Sequence, residues 1–129
     1  MAQDNVDVIE TAYSAFAKGD IESVLEFFSD SAEIVVPESL PWGGTYEGPE
    51  GMRTFLAKAL EYYTDFKAVP QKVLGADDNH VIVVARNSGR TKSGTRVDQE
   101  VVWIYQLRDS AITSAHFFAD TVAVNEALG

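Results

Sequence analysis

The sequence predicts an α+β domain in which helices from the first half of the chain pack on one face of an antiparallel sheet. Two observations support this class. Apolar side chains recur at helical spacing as far as Thr64, and from Asp65 onward the chain consists of strand-like runs separated by turns. The chain has 129 residues, which suits one core, so we expect a single domain over residues 1–129.

Three helices are expected, each with a start or stop signal. Gly19 can adopt the left-handed conformation that ends the first helix, and Asp20 can cap the second. Pro49 suits the first turn of the third helix, because its missing N–H is not needed there. A short β-branched run that ends at Pro37 predicts a strand before the third helix. The expected helices are Asn5–Lys18, Ile21–Ser29 and Pro49–Thr64, and the expected strand is Ala32–Val36.

The second half of the chain predicts further strands. Two long ones lie within Val97–Asp120 and are joined by a turn at Arg108–Ser110. Turns at Gly75–Asn79 and Gly89–Thr95 separate the strands that come before them. Those earlier strands are Lys67–Leu74 and His80–Ser88.

Alternation in the two long strands predicts a pocket. Successive side chains of a strand point to opposite faces of the sheet, so every second residue shares a face. The first strand then has a large apolar face, and the second has a face that carries a His and an Asp. An apolar concave face with a few polar groups is typical of a small-molecule site. The two sets are Val97, Gln99, Val101, Trp103, Tyr105 and Leu107, followed by Ile112, Ser114, His116, Phe118 and Asp120.

Composition excludes several classes of function. The net charge of −10 makes nucleic acid an unexpected partner, since phosphate backbones repel an acidic chain. Cysteine is absent, which rules out disulfides and thiolate metal sites, and the two histidines have no metal-ligand spacing. We therefore expect no metal and no cofactor. Without a signal peptide or an apolar run of membrane-spanning length, the protein is expected to be cytoplasmic and to have no membrane partner.

Two local features have both structural and functional interpretations. The loop Glu38–Glu50 contains Trp42 and Tyr46, which either fold down to seal the core or form a lid over the pocket. Four basic residues form either a solvated hairpin tip or a basic rim that attracts an anionic ligand. They are Arg86, Arg90, Lys92 and Arg96.

Three segments together resemble the SnoaL-like branch of the nuclear-transport-factor-2-like superfamily. They read AYSAFAKGDIESVLEFFSDSAEIVVP, WGGTYEGPEGMRTF and WIYQLRDSAITSAHFFAD. This group includes ketosteroid isomerase, limonene-epoxide hydrolase and polyketide cyclases. The resemblance covers nearly the whole chain. It implies a cystatin-like fold, a curved antiparallel sheet wrapped by three N-terminal helices into a cone with an internal pocket, and it implies a homodimer.

The family's catalytic positions are matched only in part. The ketosteroid isomerase Tyr and two Asp fall at Ala12, Val36 and Trp103, so steroid isomerisation by that mechanism is not expected. Limonene-epoxide hydrolase implies an Arg-x-Asp pair, which Arg96–Asp98 resembles locally, and an Asp on the last strand, matched by Asp120. Asp120 also matches the acid/base Asp of the polyketide cyclases, whose His falls at Trp103.

The catalytic candidates are therefore Asp120 and His116. Asp120 at the end of an apolar face can move a proton if its pKa is raised, but it can equally cap a helical turn at Thr121–Leu128. His116 can exchange a proton near neutral pH, and its alternative role is a satisfied core histidine. Arg86 can pair with Asp120 or a ligand carboxylate if it points inward, and otherwise lies on the surface. The expected substrate-binding residues are Tyr13, Trp42, Arg86, Gln99, Trp103, Tyr105 and Phe118.

Three functional hypotheses remain open. The first is a cofactor-free enzyme that carries out isomerisation, cyclisation, dehydration or epoxide hydration on an apolar, oxygen-bearing small molecule. The second is a non-catalytic ligand-binding or dimerisation module, favoured by the missing isomerase groups. The third is a protein-interaction adaptor that uses the outer sheet face at Glu100, Val102 and Ile104.

Overall fold

A computed structural model describes residues 2–129, with the side chain of Ala2 left undescribed. The first half has two helices, two strands and a third helix, and the second half has four strands and a final helix. The first half contains α1 (Ala2–Ala17), α2 (Ile21–Leu25), β1 (Phe28–Val36), β2 (Gly44–Glu47) and α3 (Gly48–Leu60). The second half contains β3 (Tyr63–Gly75), β4 (His80–Thr91), β5 (Arg96–Arg108), β6 (Ala111–Phe118) and α4 (Thr121–Leu128).

The strands form one six-stranded sheet in the order β2-β1-β6-β5-β4-β3. Strands β3 to β6 are consecutive antiparallel neighbours, as expected for short turns between long strands. Strand β1 pairs with β6 in parallel, which the expectation of a purely antiparallel sheet did not include. The α+β class and the curved sheet wrapped by helices are confirmed.

The core lies between the concave face of this sheet and the helices. Helix α1 packs on β3 and β4, and α3 packs on β1. Along β5 the alternation predicted from the sequence is confirmed: Val97, Val101 and Trp103 are buried, while Asp98 and Glu100 are exposed. The sheet therefore has one face in the core and one face open to solvent.

Several element boundaries differ from the prediction. Helix α2 ends at Leu25 and β1 begins at Phe28, because the Phe28 ring is 6% exposed and belongs to the sheet core. Strand β2 lies within the predicted loop and pairs with the end of β1. Helix α3 ends at Leu60, so that Tyr63 already lies in β3. In each case pairing and burial across the sheet outweigh local helical spacing.

No helix in the part of the chain that the structure describes is long and apolar enough to cross a membrane.

Candidate small-molecule pocket

A cavity of about 110 Å³ lies between the concave sheet face and helices α1 and α3. For comparison, an apolar protein cavity of roughly 150 Å³ holds benzene. The wall of the cavity in this protein is mainly aliphatic and aromatic, as the walls of small-molecule sites usually are. The rings that line it include Tyr13, Trp42, Phe55, Trp103, Tyr105 and Phe117.

Trp103 is the centre of the aromatic wall. Its ring stacks on Tyr105 at a centroid distance of 5.7 Å and an interplanar angle of 13°. Phe117 tilts against Trp103 at 4.7 Å, and Phe55 meets it edge-on at 6.0 Å. Such ring pairs add stability beyond the area they bury, so this side of the cavity is a tightly packed aromatic cluster.

Two tyrosines supply a hydroxyl pair inside the cavity wall. The Tyr13 and Tyr105 hydroxyl oxygens are 2.8 Å apart, so one donates a hydrogen bond to the other. Burial raises the pKa of both phenols well above their ordinary value near 10. Both groups are therefore neutral at physiological pH and act as hydrogen-bonding groups, not as bases.

Two amide side chains, Asn87 and Gln99, lie in the cavity wall at another level of the sheet. They are direct neighbours on β4 and β5. Gln99 lies six residues from Tyr105 on the same strand, roughly 20 Å along it at 3.3 Å per residue. The cavity thus has polar groups at two separate levels, with aromatic rings between them.

Trp42 seals the cavity, as the structural interpretation of the loop anticipated. The side chain is 5% exposed and packs on Tyr62 and Tyr63 at centroid distances of 5.1 and 5.7 Å. Its carbonyl oxygen accepts a hydrogen bond from the Tyr46 hydroxyl at 2.6 Å. The Asn125 amide donates to the Ser39 carbonyl at 2.7 Å, which ties α4 to the same loop.

His116 and Phe118 lie outside the cavity, and their prediction as pocket residues is wrong. Leu107 on β5 pairs with Ile112 on β6, but the residue before Leu107, Gln106, pairs with Ser114. Thr113, between Ile112 and Ser114, is therefore a β-bulge without a partner on β5. The bulge exchanges the faces to which the later side chains of β6 point. His116 consequently lies 4.0 Å from a Glu33 carboxylate oxygen on the outer face, and Phe118 is 51% exposed.

Asp120 serves as the N-cap of α4. Its side chain accepts a hydrogen bond from the Ala123 amide at 3.1 Å, and the residue is exposed. This arrangement satisfies one of the unpaired N–H groups at the helix start. Asp120 is not part of the cavity wall, so it lacks the apolar surroundings on which a catalytic role depended.

Arg86 lies on the surface and not in the cavity wall, where it was expected as a binding residue. Its guanidinium is 3.1 Å from the Asp98 carboxylate, and Arg96 lies 3.4 Å from the same group. On β4 the odd-numbered residues face the core, and Arg86 is an even-numbered one. The run of apolar residues before it allowed either choice of face, and pairing with β5 decided between them.

Sequence reasoning placed five of its expected binding residues in the cavity wall and missed others. The missed residues include Phe117, Ala119 and Asn87. Among residues 2–129, no carboxylate, imidazole, lysine or arginine side chain lines the cavity, and no cluster of three potential metal ligands is present. The five residues correctly placed in the wall are Tyr13, Trp42, Gln99, Trp103 and Tyr105.

Several solved structures share this architecture. TerC, crystallised with polyporic acid, is 26% identical with a TM-score of 0.88, and the alignment covers 97% of this chain and 98% of TerC. Bal32a, from a soil-derived mobile gene cassette, is 26% identical with a TM-score of 0.88, covering 99% and 98%. An NTF2-like protein from Burkholderia xenovorans LB400 is 26% identical with a TM-score of 0.84, covering 98% and 97%.

The sequence itself matches a family model. No curated protein matches this chain. Residues 9–115 match the model described as SnoaL-like domain, and this segment contains α1 from Ile9 onward and almost all of the sheet. The resemblance inferred from the three sequence segments is confirmed, and the chain belongs to the SnoaL-like domain family.

Proposed function

We propose that the protein binds a small, uncharged and mostly apolar molecule that carries carbonyl or hydroxyl oxygens. The observation that carries this proposal is a cavity walled by aromatic rings whose polar groups are all neutral. Apolar surface stabilises the body of such a ligand, and hydroxyl and amide groups bond its oxygens. A charged ligand group would have no counter-ion in this cavity wall and would lose hydration.

Similarity to TerC supports the binding of a small molecule. That protein was crystallised with polyporic acid, a small molecule, and it is similar over nearly the whole length of this chain. The proposal for this chain is limited to the ligand class that its own cavity favours.

A second candidate function is catalysis of the cyclase or isomerase type on the same ligand. The observation that favours it is a set of neutral hydrogen-bond donors in an apolar cavity, which can stabilise an oxyanion as it develops. The cavity wall contributes no carboxylate or imidazole among the residues described, so water would have to accept the proton. His116 and Asp120 take no part in this version.

A titration separates ligand classes. Fluorescence of Trp42 and Trp103 is recorded as the protein is titrated with 2-butanone, a ketone smaller than benzene, and with propionate, a carboxylate of similar shape. We expect the ketone to bind at least about tenfold more tightly, because burying an unpaired carboxylate is unfavourable. Equal or stronger binding of the carboxylate would contradict the proposal.

Proton exchange then separates binding from catalysis. The methyl protons beside the ketone are followed by NMR in D2O with and without the protein. An enzyme would speed their loss to solvent and the return of deuterons, whereas a binding module would leave the rate unchanged. Asp120→Asn keeps a capping side chain, so an exchange rate that falls with this substitution would return Asp120 to the catalytic site.

We further propose that a second copy of the chain covers the outer sheet face. Half-buried apolar side chains form a continuous row there, with Val84 beside Val102 and Val102 beside Phe118. Exposed apolar patches of this kind mark protein contacts. Sedimentation equilibrium should give a concentration-dependent dimer that Val102→Glu dissociates. A wild-type chain that stays monomeric at every concentration would refute the dimer.

A further inference from the structure

The cavity contains hydrogen-bond donors that nothing in the described part of the protein uses. Asn87 and Gln99 face each other across β4 and β5, on the concave side of the sheet. Directly opposed side chains on neighbouring strands have Cβ atoms about 5 Å apart, close enough for both amides to reach one atom. Ala68, the β3 neighbour of Asn87, is small and leaves space beside them.

The orientation of Gln99 is fixed by its partner. Its Oε1 accepts a hydrogen bond from the backbone N–H of Asp120 at 3.0 Å. A backbone N–H can only donate, so the oxygen of the amide must be the end that meets it. The Nε2 of Gln99 is then the free end, and among residues 2–129 it has no hydrogen-bond partner.

The orientation of the Asn87 amide follows from which of its two polar atoms is buried. Its Oδ1 is completely buried and has no hydrogen-bond partner, whereas its Nδ2 is not enclosed in this way. Turning the amide over would enclose a nitrogen with two unpaired N–H groups in place of one oxygen. Because unpaired buried polar groups destabilise the fold, the observed orientation is favoured, and it leaves Nδ2 as the accessible end of a side chain that lines the cavity.

We propose that Asn87 and Gln99 form a two-amide clamp that determines specificity by donating two hydrogen bonds to one carbonyl oxygen of the ligand. A carbonyl oxygen has two lone pairs and can accept both N–H groups. Of the two tyrosine hydroxyls, one already donates to the other, so this pair offers a ligand oxygen one free O–H, whereas the two amides offer two N–H groups. The clamp rests on the proposed ligand-binding function and narrows it to ketones, quinones and related carbonyl compounds.

The test compares two small probes of the same shape, 2-butanone and 2-methyl-1-butene, in which a CH2 group replaces the carbonyl oxygen. Gln99→Met is the matched variant, because it keeps the length of the side chain but removes the N–H donors, and the Asp120 N–H of this exposed bond can bond to water instead. Asn87→Leu is the second variant, similar in shape and without the unpaired oxygen, so its folding is not at risk. Tyr105→Phe tests the other polar groups of the cavity wall, the Tyr13–Tyr105 hydroxyl pair.

In the wild type we expect the ketone to bind about tenfold more tightly than the hydrocarbon, as two hydrogen bonds would give. Each amide variant should remove most of this preference while the hydrocarbon still binds. Equal binding of both probes to the wild type would overturn the clamp but leave the binding function intact. A preference lost in Tyr105→Phe and kept in Gln99→Met would overturn it in favour of the tyrosines. If neither probe binds, both proposals fall.

Discussion

Replacing Phe117 with Ala is expected to lower the free energy of unfolding by about 3–5 kcal/mol, the range found when a buried phenylalanine is truncated. The Phe117 ring is 9% exposed and lies 4.7 Å from the Trp103 ring, centroid to centroid. Its removal would enlarge a cavity that is already present, and the surrounding sheet cannot collapse to fill it. Urea unfolding followed by circular dichroism measures the loss.

Phe118 is the matched control, because it is the same residue type, one position further along β6 and on the opposite face. Half of its surface is already in water, so Phe118→Ala should lose less than about 1.5 kcal/mol. Both variants should be measured at protein concentrations low enough to keep the chain monomeric. The reverse order of effects would mean that β6 has no bulge and that the face predicted from alternation is the correct one.

Replacing Gly48 with Ala should lower the free energy of unfolding by about 2–5 kcal/mol, because two costs add. Gly48 begins α3 with a φ of +71°, a left-handed conformation that residues with a Cβ rarely adopt. A Cβ at this position would also lie 2.5 Å from the carbonyl oxygen of Asp30. Either β1 or the start of α3 would have to move.

Gly19 separates the two costs. Its φ is +76°, nearly the same as that of Gly48, but a Cβ there would meet no atom within 4 Å. Gly19→Ala should therefore show only the conformational cost, about 1–2 kcal/mol. Thermal or urea unfolding of the two variants should differ by the steric term alone, and equal losses would show that contact with Asp30 is relieved without cost.

The fold class could be predicted because its signals are local and repeated. Gly19 has a positive φ in the turn after α1, and Asp20 accepts a hydrogen bond from the Ser23 amide at the start of α2. Alternation along β5 placed Trp103 and Tyr105 on the core side, because that strand has one large apolar face and one mixed face. The family resemblance then supplied the curved sheet and the pocket inside it.

The contents of the pocket were predictable only where a strand has one plausible apolar face. β5 meets that condition, and its residues Gln99, Trp103 and Tyr105 lie in the cavity wall. β4 does not, because valine, isoleucine and alanine occupy both faces before Arg86. Only pairing with β5 turns Asn87 inward and leaves Arg86 beside Asp98 on the surface.

The sequence by itself determined the class of the domain, the family and the aromatic strand at the centre of the cavity, because these depend on periodicities of neighbouring residues. The tertiary structure alone decided which side of β6 faces that strand. Thr113 is an extra residue of β6 that has no partner on β5. Because of it, the later side chains of β6 point to the opposite faces, so that Phe117 faces the cavity and His116 faces outward. A bulge arises from how two strands pair, and no local pattern in either strand specifies it.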